Sequence, residues 1–140
     1  MAKTVIASAA VTAAGSQTFS VPPRCSSVLV QLDVTAAATD VGDKLTMWVQ
    51  GTIDGTNYYD IGGFAEVLGN GGPKRFIMVL QRTGSIAESD IITPGDGAMT
   101  ANTVTYGPFP DDLRIKYTVT DAGTDNASFT FSVTVATVMA

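Results

Sequence analysis

Hydrophobic and polar residues alternate with a period of two along most of this chain. Val28, Val30, Leu32 and Val34 alternate with Leu29, Gln31 and Asp33. Leu45, Met47, Val49 and Ile53 alternate with Thr46, Trp48, Gln50 and Thr52. Leu113, Ile115, Tyr117 and Val119 alternate with Arg114, Lys116 and Thr118, and Phe129, Phe131, Val133 and Val135 with Ser128, Thr130, Ser132 and Thr134. Successive side chains of a strand point to opposite faces, so this pattern predicts half-buried antiparallel strands, apolar inward and polar outward. The 3.6-residue period of an amphipathic helix is not found. Phe76 to Leu80 (FIMVL) is apolar at every position, which predicts a central strand or one covered by a partner. Val5, Ala7, Ala9 and Val11 also alternate. They mark an N-terminal strand or arm over residues 1–15, ahead of a domain over 16–140.

Turn signals separate the runs. Pro22-Pro23, Thr39 to Asp43, Gly69 to Pro73 and Asp121 to Asn126 are rich in the residues that turn geometry favours. About eight strands at roughly ten-residue spacing predict an all-β chain, a single antiparallel β-sandwich of jelly-roll or immunoglobulin-like kind. Gly84 to Pro110 breaks the spacing and is predicted to be one long loop insertion; loops of this length inside a domain are usually functional or mobile. Within it, a short strand is expected near Asn102–Tyr106, and Asp96-Gly97 could close a small hairpin.

Lys44 to Phe64 reads KLTMWVQGTIDGTNYYDIGGF, and Asp-Gly between β-compatible runs is a strong hairpin signal. A two-residue loop (Asp54-Gly55) or a four-residue loop (Asp54 to Asn57) would put Leu45, Met47, Val49, Ile53, Tyr58 and Phe64 on the core face. The outer face would then carry Trp48, Gln50, Thr52, Tyr59 and Ile61. On that register Trp48, Tyr59 and Ile61 form an outward cluster. Three covers are open at this point: the Gly84–Pro110 loop, a partner subunit or a bound sugar.

Composition narrows the chemistry. The chain has 140 residues, 45% of them hydrophobic and only 15% charged, with a net charge of −5. Its longest basic run is Lys74-Arg75, which argues against binding a phosphate backbone. The N-terminal apolar run is broken by Thr and Ser and makes a poor signal peptide. No window offers the ~20 apolar residues of a spanning helix. The expectation is a soluble protein made in a cytosol, with no nucleic-acid or membrane partner. Histidine is absent and Cys25 is the only cysteine, so neither a Ser-His-Asp triad nor an intrachain disulfide can form. The aspartates at positions 40, 43, 54, 121 and 125 fall in turns, where geometry already accounts for them. A calcium ion held by the Asp40/Asp43 or Asp121/Asp125/Asn126 run is the other reading. No catalytic, cofactor-binding or metal-binding residue is assigned.

Beyond these patterns the chain resembles small structural proteins of tailed-bacteriophage virions, most closely capsid decoration (cement) proteins. The resemblance lies in the DGTNYYDIG turn of the hairpin, in VLVQLDVT (Val28–Thr35), in FPDDLRIKY (Phe109–Tyr117) and in the closing strand Ser128–Val135. It covers about Val28 to Val138. The chain departs from the group at Gly84–Tyr106, where those proteins usually run almost straight from the strand like Lys74–Gln81 into the segment like Phe109–Tyr117. The resemblance implies a non-enzymatic role on the capsid surface of a virion. It also implies a homotrimer, with the major capsid protein and other copies of the chain as partners, and a terminal arm reaching onto the shell. The interface candidates are Val5, Ala7, Ala9 and Val11 of the arm, Trp48, Tyr59 and Ile61 of the hairpin, and Ile91, Ile92, Met99 and Tyr106 of the insertion. The alternatives are another virion component (tail, connector or head fibre) and a carbohydrate-binding β-sandwich module.

Overall fold

The structure, a computed structural model, describes residues 2–82, 94–105 and 108–139. Its regular elements are strands: β1 (Ala2–Val11), β2 (Gly15–Ser20), β3 (Cys25–Ala36), β4 (Lys44–Thr52), β5 (Tyr58–Gly63), β6 (Val67–Leu68), β7 (Lys74–Gln81), β8 (Thr103–Val104), β9 (Asp112–Thr120) and β10 (Phe129–Met139). They form a four-stranded sheet of order β1-β10-β3-β7 and a six-stranded sheet of order β2-β9-β4-β5-β8, with β6 beside β4. Every pairing among the described residues is antiparallel. Setting aside β6 and β8, which have two residues each, eight longer strands remain. Among the described residues these match the expected number; β1, β3, β4, β9 and β10 lie on the alternating runs, and β5 and β7 on the hairpin and the all-apolar run.

The strand order decides between the two expected sandwiches. Along the eight longer strands the chain crosses to the other sheet at every step except β4 to β5. That interleaving is a jelly roll. An immunoglobulin sandwich instead keeps strands A and B side by side in one sheet.

The period-two pattern becomes the core through register. Val30 lies between Val135 and Met78, and Leu32 between Val133 and Phe76. From the facing sheet, Leu45, Met47, Val49, Leu113 and Ile115 close the same core. Tyr117 meets Phe131 edge-to-face across the sheets, with ring centroids 5.3 Å apart, a favoured aromatic geometry. Cys25 is buried among these residues.

Topology corrects one expectation and narrows another that was open. Of the two readings of Phe76–Leu80, a central strand or one covered by a partner, the first does not hold: among the described residues β7 pairs only with β3 and is the edge of its sheet. Its run is apolar throughout because Met78 and Leu80 face the core while Ile77 and Val79 point outward into solvent. The N-terminal segment, open between arm and strand, is a strand of the domain's own sheet, since β1 pairs with β10. Register shifts between Thr4 and Ile6, and again between Ile6 and Ala9, break its simple alternation. Ile6, Ala9 and Val11 lie opposite Val133, Phe131 and Phe129, whereas Val5 and Ala7 fall at the bulges.

The aspartate turns interlock. Asp43, buried, accepts from the backbone N–H groups of Ala122 (2.8 Å) and Gly123 (3.1 Å). Asp40 accepts from that of Asp125 (2.8 Å). These carboxylates tie the β3–β4 connection to the β9–β10 connection. Among the described residues, no group of three or more Asp, Glu, Cys or His side chains is placed to hold a metal ion.

Candidate functional site: an outer sheet face and a strap over Trp48

The β4–β5 hairpin is where local geometry departs furthest from expectation. Thr52 pairs with Tyr58, so the loop is Ile53 to Asn57, five residues long. Asp54 organises it. One carboxylate oxygen accepts from the N–H groups of Thr56 (2.8 Å) and Asn57 (2.7 Å), and the other from the Asn57 amide (2.7 Å). Gly55 sits at φ +78°, a conformation glycine adopts without steric penalty, and donates to the Thr52 hydroxyl oxygen. The Asn57 and Thr56 amides, with the Asn57 side chain and the Thr52 hydroxyl, hold the Asp54 carboxyl well below the usual range.

An odd loop reverses the parity expected from a two- or four-residue loop. Tyr58, Tyr59 and Ile53 are therefore misplaced by the sequence reading. Ile53 lies in the loop, 88% exposed. Tyr58 is on the outer face, with the Arg114 guanidinium 3.8 Å above its ring. Tyr59 is opposite Gly51 and packs half-buried against the core. Burial raises its phenol pKa. Further along, Val49 pairs with Gly62 but Gln50 with Asp60, which leaves Ile61 as the extra residue of a β-bulge. Ile61 turns into the core and is 2% exposed. The shift restores the expected parity beyond it, and Phe64 is buried as expected.

Of the expected outward cluster, only Trp48 remains on the outer face, and it is covered. The Pro94–Thr105 segment, here called the strap, lies over it. The Trp48 indole Nε1–H donates to the Met99 carbonyl at 3.0 Å, and Trp48 is 7% exposed. This is the same-chain cover that the insertion offered. The strap's short strand β8 pairs with β5, near the expected position. Asp96-Gly97 makes a bend there and does not close a hairpin among the described residues.

The strap docks on a polar network that pattern reading did not single out. The Asp60 carboxylate is buried and accepts from the N–H groups of Gly97 (2.8 Å), Ala98 (2.8 Å) and Met99 (3.0 Å) and from the Gln50 amide (2.8 Å). The Asp60 N–H donates back to the Gly95 carbonyl at 2.7 Å. Gln50 also donates to Asp96 (2.8 Å) and accepts from Arg114 Nε (2.8 Å). Asp96 pairs with Lys116 (2.7 Å) and Arg114 (3.3 Å). Hydrogen bonds from Lys116 and Gln50, together with both cations, lower the Asp96 pKa. The one available signal was Gln50 and Asp60 on a strand pair otherwise rich in apolar residues. A five-residue loop puts the two side by side.

The four-stranded sheet presents the opposite case, a face with no cover among the described residues. Ile77 is 61% and Val79 46% exposed on β7. Val79 lies beside Leu29, which lies beside Ala136, and Ile77 lies beside Gln31 and then Thr134. Val138, also exposed, is on β10 next to this row. The charges among the outward residues of β3 and β7 are Asp33 and Arg75, which pair at 3.5 Å.

The interface candidates thus separate. Val5, Ala7, Ala9 and Val11 lie on one edge strand of the four-stranded sheet, and Trp48 lies under the strap, bonded to the carbonyl of the strap's Met99. Tyr59 and Ile61 join the core side. Ile91, Ile92 and Tyr106 lie outside the described residues. Comparison of the chain with protein-family models, with curated proteins and with solved structures finds no match.

Proposed function

We propose that this protein is a non-enzymatic structural part of a tailed-phage virion, a decoration protein that oligomerises on the head shell and stabilises it. The observation that carries the reading is the outer face of β1-β10-β3-β7. It combines exposed Ile77, Val79 and Val138 with Leu29, Ala136 and threonines, and it is nearly free of charge. Exposed apolar patches mark interaction surfaces, and depletion of charge is a property of interface centres. Support from the sequence comes from the resemblance of Lys44–Phe64, Val28–Thr35, Phe109–Tyr117 and Ser128–Val135 to virion proteins of this kind. The jelly roll agrees with the reading by analogy alone, because capsid and lectin domains share it.

The sugar-binding alternative relied on Trp48 and Tyr59 as an aromatic platform in solvent. With Trp48 under the strap and Tyr59 against the core, that platform is not available.

Adding the purified protein to shells that lack it tests the proposal. Saturable binding, trimers by light scattering and higher thermal stability of the decorated shell are the expected results. A strict monomer that leaves shells bare would reject it. Density confined to the tail in images of intact particles would reject decoration in favour of another virion role.

A further inference from the structure

We propose that the strap, Pro94–Thr105, opens as a unit separately from the sandwich, with the Asp60 carboxylate as its catch. The inference rests on how the strap is held and is independent of the virion reading. The catch is concentrated on one side chain. Three successive N–H groups, those of Gly97, Ala98 and Met99, converge on the two oxygens of Asp60. Gly97 at φ +74° lets the backbone curl so that its amides face a single anion. Consecutive amides arranged in this way form an anion-binding nest, and Asp60 fills it from within the chain. Losing that one carboxylate would strip all three amides of their partner together.

Among the described residues the other attachments are short or polar: Asp96 meets Gln50, Arg114 and Lys116, the Gly95 carbonyl accepts from the Asp60 N–H, and the Met99 carbonyl accepts from the Trp48 indole. β8 contributes two residues to the sheet, and Thr105 bonds the Ile61 carbonyl. Ala98 and Thr100 are exposed and Met99 is only half-buried, so among the described residues the strap's apolar hold rests chiefly on the Trp48 indole beneath it and on Val104 against the core. Few buried apolar contacts and locally held backbone hydrogen bonds characterise segments that open below the global unfolding energy. Opening would uncover Trp48 and release Arg114 and Lys116 from Asp96. A closed patch would become an indole beside two cations.

Gly63 supplies an independent handle. A Cβ placed there would sit 2.9 Å from the Thr100 carbonyl oxygen, so Gly63→Ala should wedge the strap outward without altering Asp60. Trp48 is the only tryptophan, so its fluorescence reports this one site. The experiment compares the full-length chain with Asp60→Gly and Gly63→Ala by Trp48 emission, acrylamide quenching and amide hydrogen exchange. In the unmutated chain, the amides of residues 97–99 are expected to exchange well before those of β4 and β9. Both variants should red-shift Trp48 and raise its quenching several-fold while β3, β4, β9 and β10 keep their protection. Added formate should reverse the change in Asp60→Gly by refilling the nest, and should leave Gly63→Ala unchanged. Strap amides that exchange only together with β4 and β9 in the unmutated chain would overturn the proposal. So would variants that keep Trp48 buried, or an Asp60→Gly chain that unfolds throughout.

Discussion

Ile53 and Ile61 carry the same side chain to opposite fates, and the five-residue loop between β4 and β5 decides which is which. Ile53 stands in solvent at the turn, while Ile61, the extra residue of a bulge, fills the core. Truncating Ile61 to Ala should cost about 3 kcal/mol through lost burial and the cavity left behind. Ile53→Ala should stay within about 0.5 kcal/mol, as for surface positions. Urea melts of the two variants check the register directly, since a two- or four-residue loop would make Ile53 the costly position. Asp54 adds a pH dependence. Its folded pKa, like that of Asp96, lies below the unfolded value. The stabilisation is therefore present above the unfolded value of about 4 and lost as pH falls below it toward the folded pKa. Thermal melts taken from neutral to acid pH should show Tm dropping in that window, and Asp54→Asn should flatten the drop.

The elements are held by different means. β3 and β10 are central strands buried on their inner face, whereas the β3–β4 and β9–β10 connections depend on Asp43, whose carboxylate takes two backbone amides. Asp43→Ala leaves those donors without a partner and should destabilise the chain by about 2 kcal/mol. Chemical denaturation would measure it, and a change below 0.5 kcal/mol would mean the turns stand without it. β7 presents an edge with Ile77 and Val79 outward. Neither residue packs in the core, so replacing both by Lys should leave folding stability within about 1 kcal/mol. If this face assembles, the same double variant should lose shell binding or self-association, which sedimentation would show. Unchanged binding by a folded variant would move the interface elsewhere. β7 also shows why a run apolar on both faces misleads. Such a run states that the outer face avoids charge, not that another strand covers it.

At the scale of the whole molecule, the sequence by itself determined the class of fold and most of the core outside the hairpin. Period-two runs of Val, Leu, Ile and Phe bury their apolar sides as strands of stacked sheets, and those runs supply most of the buried residues, with Ile53, Tyr58, Tyr59 and Ile61 the exceptions. It also determined the positions of the turns, because Asp, Gly, Pro and Asn act through local backbone geometry. Tertiary structure alone decided the jelly-roll order, since alternation marks which face of a strand is apolar and not which strand lies beside it. It decided the register of the hairpin too. One residue more or less in a loop moves every following side chain to the other face, and here a bulge at Ile61 then reverses the shift. The strap was the least legible part. Gln50, Asp60, Asp96, Arg114 and Lys116 come from four separate stretches of chain and become one network only when two strand pairs and a loop converge. The burial of Trp48 follows from that convergence, not from any local property of its own strand.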